Sequence, residues 1–197
     1  MLFRSPQRGL YAEISARAAL PGGAGTFGGG FASVRFYHAL APWLVLAGRM
    51  MLEMLWGEIP FYELVHWGGL TPVTGFGGFE TLRGISFGRW RAPGKLVLNA
   101  EARFYVVQHR LFGRLMRWQL ALLADAGTVF GAGDDATAPP PAFPLHPAAG
   151  VGVRAIYQNT FVGRIDSGFG LDPIRELDGS VTHELSFGIY VVFDHAF

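Results

Sequence analysis

The feature that most restricts the fold is a period-two alternation in which charge keeps to one parity. From Lys95 to Val107, Asn99, Glu101 and Arg103 share one parity, and Leu96, Leu98, Ala100, Ala102, Phe104 and Val106 hold the other. From Arg117 to Gly127, Arg117, Gln119 and Asp125 oppose Trp118, Leu120, Leu122, Ala124 and Ala126. In the last segment Glu184, Ser186, Gly188, Tyr190 and Asp194 oppose Leu185, Phe187, Ile189, Val191 and Phe193. Successive side chains of a strand point to opposite faces, so each segment reads as a strand with one polar and one apolar face.

Weaker alternation marks five more segments. Tyr11, Glu13, Ser15 and Arg17 oppose Leu10, Ala12, Ile14 and Ala16; Ser33 and Arg35 oppose Ala32, Val34 and Phe36. Arg49 and Glu53 oppose Leu46, Met50, Leu52 and Met54. Gly152, Arg154 and Gln158 oppose Val151, Val153 and Tyr157, and Arg164, Asp166 and Gly168 oppose Ile165 and Phe169. About eight strands result, each near the ~9–11 residues that a tilted membrane strand needs.

A soluble β-sandwich also alternates, but its polar face meets bulk water and carries Lys and Glu. Here that face mixes Arg, Asp and Glu with Gly, Ser and Tyr and has almost no Lys. Such a face suits a paired interior network, as in the lumen of a membrane barrel. Composition agrees. Half of the chain is hydrophobic, only 16% is charged, and the mean hydropathy is +0.28, yet no run of about 18 apolar residues forms a membrane helix. The 28 glycines and 17 phenylalanines are residues that turns and strands use. The expected fold is therefore all-β: an antiparallel transmembrane β-barrel of about eight strands, one domain over residues 1–197.

Other chemistry finds little support. A net charge of +1 gives no basic footprint for nucleic acid. Without cysteine there is no disulfide, thiolate catalysis or Cys-based metal site. His38, His66, His109, His146, His183 and His195 lack ligand spacing, and Asp134-Asp135 lie in a Pro/Ala-rich stretch that reads as a solvated loop to Pro147. No serine sits in a Gly-x-Ser-x-Gly context, and Gly28-Gly29-Gly30 precedes no helical pattern, so neither a nucleophile elbow nor a phosphate loop is read. No metal, cofactor or enzymatic activity is expected. Trp43, Trp56, Trp90 and Trp118 suit aromatic girdles. Met-Leu-Phe-Arg-Ser-Pro shows no secretion signal, so a cytosolic protein, a mature form and a piece of a longer chain are the readings considered.

Most connections are short, such as Pro21-Gly22-Gly23 and Ala41-Pro42, but Gly57 to Pro93 is long and carries Phe61, Tyr62, Trp67, Phe76 and Phe79. A long loop of that content is expected to be ordered and functional. It contains Gly-Phe-Gly-Gly-Phe-Glu-Thr-Leu-Arg-Gly-Ile at residues 75–85, then Gly88-Arg89-Trp90; the strand Asn99-Ala-Glu-Ala-Arg-Phe104 and then Leu123-Ala-Asp-Ala-Gly127 follow. This ordered set resembles the C-terminal barrel half of the BamA/TamA-type outer-membrane assembly-factor superfamily, also called the bacterial surface antigen family. The resemblance covers residues 40–197 well and 1–40 loosely. Ile85 and Leu123 depart from it, since the family carries aromatics there.

A guanidinium on a loop inside a barrel needs planar, charged acceptors. Glu101 and Asp125 face the lumen by parity on adjacent strands and could grip Arg83 together. The resemblance implies the same pairing, with Arg83-Gly84 as the tip of a loop locked into the lumen. The competing reading puts Arg83 on an exposed turn that Gly84 merely bends. A second motif, Ser186-Phe-Gly-Ile-Tyr-Val-Val-Phe193, followed by Phe197, matches a barrel insertion signal through Ser186, Gly188, Val191, Phe193 and Phe197.

The resemblance implies a protein of the cell outer membrane that assists insertion or translocation of client proteins through a seam between first and last strands. Its partners would be outer-membrane lipid, client outer-membrane or secreted proteins, and a second copy or further barrel strands. The alternatives are a passive pore or structural membrane anchor, and a soluble β-protein that binds a small apolar ligand. Size adds a constraint. An eight-strand barrel is just filled by its own side chains, so the 57–93 loop fits inside only if these strands are part of a larger barrel, by a longer chain or a second copy. Otherwise the barrel closes alone and the loop caps it from outside.

Overall fold

The computed structural model describes residues 6–20, 25–70, 73–131, 145–158, 161–175 and 181–193. Eight strands form one sheet: β1 (Gly9–Ala19), β2 (Phe27–Ala41), β3 (Leu44–Gly57), β4 (Gly94–Leu111), β5 (Arg114–Phe130), β6 (His146–Tyr157), β7 (Phe161–Arg175) and β8 (Val181–Val192). Each strand pairs antiparallel with the next, in the order β1-β2-β3-β4-β5-β6-β7-β8. The sheet is open. Among the described residues β1 and β8 pair with no strand other than β2 and β7. The turn expected at Pro21-Gly22-Gly23, the Asp134-Asp135 pair, Asp194 and Phe197 lie outside the described residues.

Burial follows the alternation. On β5, Gln119, Ala121, Leu123 and Asp125 are buried, while Leu120 and Leu122 face outward and are about half exposed. On β7 the inner residues are Arg164, Asp166 and Gly168, and the outer ones Ile165 and Phe169. One face of the sheet is thus polar or mixed and covered. The other is apolar and open, with Ile14 88%, Leu122 55% and Ile189 63% exposed.

Several boundaries differ from those expected. The alternation beginning at Lys95 fails after Tyr105, yet β4 runs on to Leu111. A bulge explains this. Tyr105 pairs with Gln119 but Val107 with Trp118, so Val106 is an extra residue that flips the parity. Pro147, expected in a loop, pairs with Ala126 in the first turn-side residues of β6, where a missing N–H is tolerated.

The inner face has two regions. Beneath the loop's aromatics it is largely apolar: Phe31, Met51, Val97 and Val129 of the sheet pack against Trp67, Phe76, Leu82 and Trp90 of the loop. Around Arg83 it is ionic. The inner face is therefore mixed rather than polar throughout. Trp90 is also not a girdle residue. It is 3% exposed and stacks on His146 with ring centroids 4.1 Å apart. Trp43 and Trp56 are exposed, as a girdle would require.

The β4–β5 hairpin turns on Phe112 (φ 51) and Gly113 (φ 76). Two consecutive left-handed residues match the twist of the flanking strands, but a bulky side chain is strained there. Phe112 is 89% exposed and so gains little in exchange. Phe112→Asn is expected to stabilise the fold by about 1 kcal/mol, read as a raised unfolding midpoint. An unchanged or lowered midpoint would count against strain at this turn.

Candidate functional site

The 57–93 loop lies against the inner face of the sheet, so the reading that places it outside as a cap is overturned. Arg83 is 2% exposed. Its guanidinium grips Asp125 with two parallel bonds, Nε to Oδ2 at 2.8 Å and Nη2 to Oδ1 at 2.7 Å. Its own backbone N–H donates to Asp125 Oδ2 at 3.1 Å. Nη1 donates to Glu101 Oε1 at 2.5 Å and to Asp166 Oδ2 at 3.3 Å. The exposed-turn reading of Arg83 does not hold.

One guanidinium nitrogen thus touches carboxylates from β4 and β7. Three strand spacings would separate those strands by ~14 Å in a flat sheet. The sheet must therefore curl around Arg83. Burial alone would lower the Arg83 pKa. The hydrogen bonds and charge of Asp125, with the charges of Glu101 and Asp166, outweigh that and hold it above its ordinary value.

Asn99 adapts the site to its surroundings. Its Nδ2 donates to Asp125 Oδ1 at 2.7 Å and to the Thr81 carbonyl at 2.6 Å. Its Oδ1 accepts from Arg49 Nε at 3.0 Å and Nη2 at 2.8 Å. Arg49 in turn donates to the Glu80 carbonyl. The loop backbone just before Arg83 is thus held at two points, Glu80 by β3 and Thr81 by β4.

Gly84 takes φ 104, in the left-handed region that favours glycine. A Cβ there would lie 2.6 Å from the Phe169 carbonyl carbon of β7. The seat is complementary: a Cβ on Gly168 would meet the Arg83 carbonyl oxygen at 2.5 Å. The loop tip therefore rests directly on β7 backbone. β8 completes the seat. Tyr190 Oη accepts the Gly84 N–H at 3.0 Å, and Ser186 Oγ donates to the Gly84 carbonyl and to Gly170 O, the latter at 3.3 Å.

A second anchor was not read from the sequence. Lys95 Nζ pairs with Glu53 Oε2 at 2.7 Å and donates to the carbonyls of Leu64 at 3.1 Å and His66 at 2.5 Å. Glu53 Oε1 accepts from Gly68 N–H at 2.9 Å and from Arg17 Nη2 at 2.7 Å. Glu13 of β1 accepts from Leu70 N–H, and Arg17 pairs with Glu63 at 3.2 Å. The sequence placed Glu13, Arg17 and Glu53 on polar parities without giving any of them a partner. The backbone acceptors that Lys95 uses are invisible to a reading of side chains.

Arg83, Gly84, Glu101 and Asp125 thus come together. Ser186 joins them through Gly84, whereas Gly188 lies one residue pair along β8, beneath the Tyr190 ring. Val191 and Phe193 face outward, with Phe193 packed on Phe161 at 5.8 Å between ring centroids. Scans against protein-family models, curated proteins and solved structures each return no match to the chain.

Arg83→Ala would leave Asp125 with Asn99 as its remaining side-chain donor in a covered site. Breaking a buried ion pair from one side costs ~3–5 kcal/mol. Limited proteolysis is expected to open cleavage between Gly57 and Pro93; an unchanged digestion pattern would sink the lock. Adding Asp125→Ala to Arg83→Ala should cost less than the sum of the two single changes. Additive losses would mean that the pair does not couple.

Proposed function

We propose that this chain is a module of an outer-membrane β-barrel of the assembly-factor type, and that it assists insertion or translocation of client proteins without covalent chemistry. The observation that carries the reading is the seat of the Arg83-Gly84 tip. A long aromatic loop is folded against the polar face and held by Glu101 and Asp125 on consecutive strands. That is the arrangement the sequence resemblance implies, reached here through hydrogen bonds rather than motif.

The apolar outer face supports a lipid setting. Its exposed residues extend across the sheet from Ile14 on β1 to Ile189 on β8. In water this surface would be an aggregation liability; bilayer hydrocarbon suits it, and the strands between the two edges have both neighbours to satisfy their backbone. The two unpaired edges are then the seam. Each has apolar outward and polar inward residues, so a strand added there must alternate in the same sense.

The loop favours an assembly role over an open pore. It packs Trp67, Phe76 and Trp90 into the space that a conducting channel would leave to water.

Two experiments test this. Reconstituted into phospholipid vesicles, the chain should accelerate folding of a urea-denatured barrel client, and Arg83→Ala should lower that rate. Stable insertion with no acceleration would instead identify a structural anchor. Leu122→Arg, near the middle of the outer face, should weaken vesicle insertion by about 2–4 kcal/mol. If the variant inserts as well as the parent, the outer face does not meet lipid.

A further inference from the structure

The β4–β5 hairpin outreaches its neighbours. β3 pairs with β4 only as far as Phe104, and β6 with β5 only as far as Met116. In those registers Arg110, Leu111, Phe112, Gly113 and Arg114 have no partner outside the hairpin. Every residue from 106 to 114 is exposed. A two-stranded ribbon adds little stability by itself, so this extension does not serve the sheet.

Its chemistry is one-sided. From Phe104 to Leu120 the chain carries His109, Arg110, Arg114 and Arg117 but no Asp or Glu. Among the described residues none of these arginines is paired with a carboxylate. Deeper in the sheet Arg17, Arg83, Arg103, Arg154 and Arg164 each meet one. Arg117 lies over the Tyr105 ring, 5.4 Å from Cζ to the centroid, and its Nε has no hydrogen-bond partner among the described residues. An open cavity of about 180 Å³ adjoins it at the base of the hairpin, lined by Gln7, Tyr105 and Gln108 and by Val106 and Val107. The turn adds an aromatic ring. Phe112 holds a left-handed φ of 51 and is 89% exposed, so no contact within the fold offsets its strain. Strain of this kind points to a use for the side chain outside the fold.

We propose that the β4–β5 hairpin docks on anionic phospholipid headgroups. Arg110 and Arg114 meet lipid phosphates, Arg117 with Gln108 holds one phosphate at the cavity, and Phe112 settles in the interfacial layer. Guanidiniums match phosphate geometry, basic clusters are drawn to anionic lipid, and aromatic rings favour the headgroup level. Trp118 shares the outward parity of Leu120 and Leu122, and Arg114 and Arg117 follow it toward the turn, where the apolar face gives way to headgroups. The other end of the sheet is not basic in the same way, since Glu58, Glu63 and Glu80 accompany Arg89 and Arg91 there. This inference rests on the lipid setting of the outer face and adds a preference for lipid charge that the setting does not require.

The test is equilibrium insertion of the full chain from urea into vesicles of phosphatidylcholine, alone or mixed with phosphatidylglycerol. The mixed vesicles should be favoured. Arg110→Gln combined with Arg114→Gln should cut that preference by ~5-fold for each arginine removed, and high salt should suppress it as well. Arg89→Gln combined with Arg91→Gln, the same charge change at the opposite end, should leave most of it. The chain has no cysteine, so Phe112→Cys can carry a single fluorescent label. Headgroup-placed lipid quenchers should dim that label, and its access to aqueous acrylamide should fall on insertion. Equal insertion into both kinds of vesicle would overturn the hairpin site while leaving the lipid setting in place. So would an equal loss from the two arginine pairs, or a label as open to acrylamide after insertion as before. Insertion into neither would overturn the lipid setting and the hairpin site with it.

Discussion

The structure depends on neutralising one buried guanidinium from several strands. Arg83 could not enter a covered site alone, because desolvation of a cation far exceeds what one surface-type contact returns. Two aligned bonds to Asp125, one to Glu101 and a longer one to Asp166 meet that cost. The geometry needed is demanding. It requires β4, β5 and β7 to present carboxylates to one point, and so it sets the curl of the sheet as well as the position of the loop. The glycines at 84 and 168 follow from the same requirement, since backbone must touch backbone for the tip to arrive.

The ionic and apolar halves of the inner face divide the work. Trp67, Phe76 and Trp90 bury large surfaces against Phe31, Met51 and Val97, which gives the loop its affinity for the sheet. That term is not directional and would tolerate several placements. The bidentate Arg83–Asp125 pair adds little where it merely replaces hydration, but it selects a single register of loop on sheet. Asn99 extends that selection to the loop backbone at Thr81, and Lys95 does so at Leu64 and His66.

Strands were legible in the sequence because one face is covered and the other apolar, so the period-two signal is strong. Where it broke, as after Tyr105, a single bulged residue was the cause, and nothing in composition marks it. Arg83, Glu101 and Asp125 were legible because charges on an inner parity must find one another. The role of Asp166 was not, although Arg154, Arg164 and Asp166 all fell on the polar parities of their segments. Which carboxylate reaches which cation depends on the curl, a property of the whole sheet. The second anchor at Lys95 and Glu53 was hidden for another reason: half of its partners are loop carbonyls and N–H groups. Trp90 misled because a Trp at the end of a glycine-rich loop has the same signature whether it faces lipid or folds inward.

The loop reaches both edge strands of the sheet. At one end of the sheet, Glu13 and Arg17 of β1 hold Leu70 and Glu63 of the loop. At the other, Tyr190 and Ser186 of β8 hold Gly84 from both sides of its peptide. An open sheet has no hydrogen bonds of its own to fix the distance between its first and last strands. Here the two edges are joined through the loop, whose Leu70 and Gly84 stand fourteen positions apart in the chain and which is pinned near one end by Arg83. Loosening the pin would free the tip from β8 while the Lys95 and Glu53 anchor keeps the loop on β1, β3 and β4. The two edges would then be released unequally, with β8 the mobile one. Of the two edge strands, β8 is thus the one whose contacts with the loop run through the Arg83-Gly84 tip.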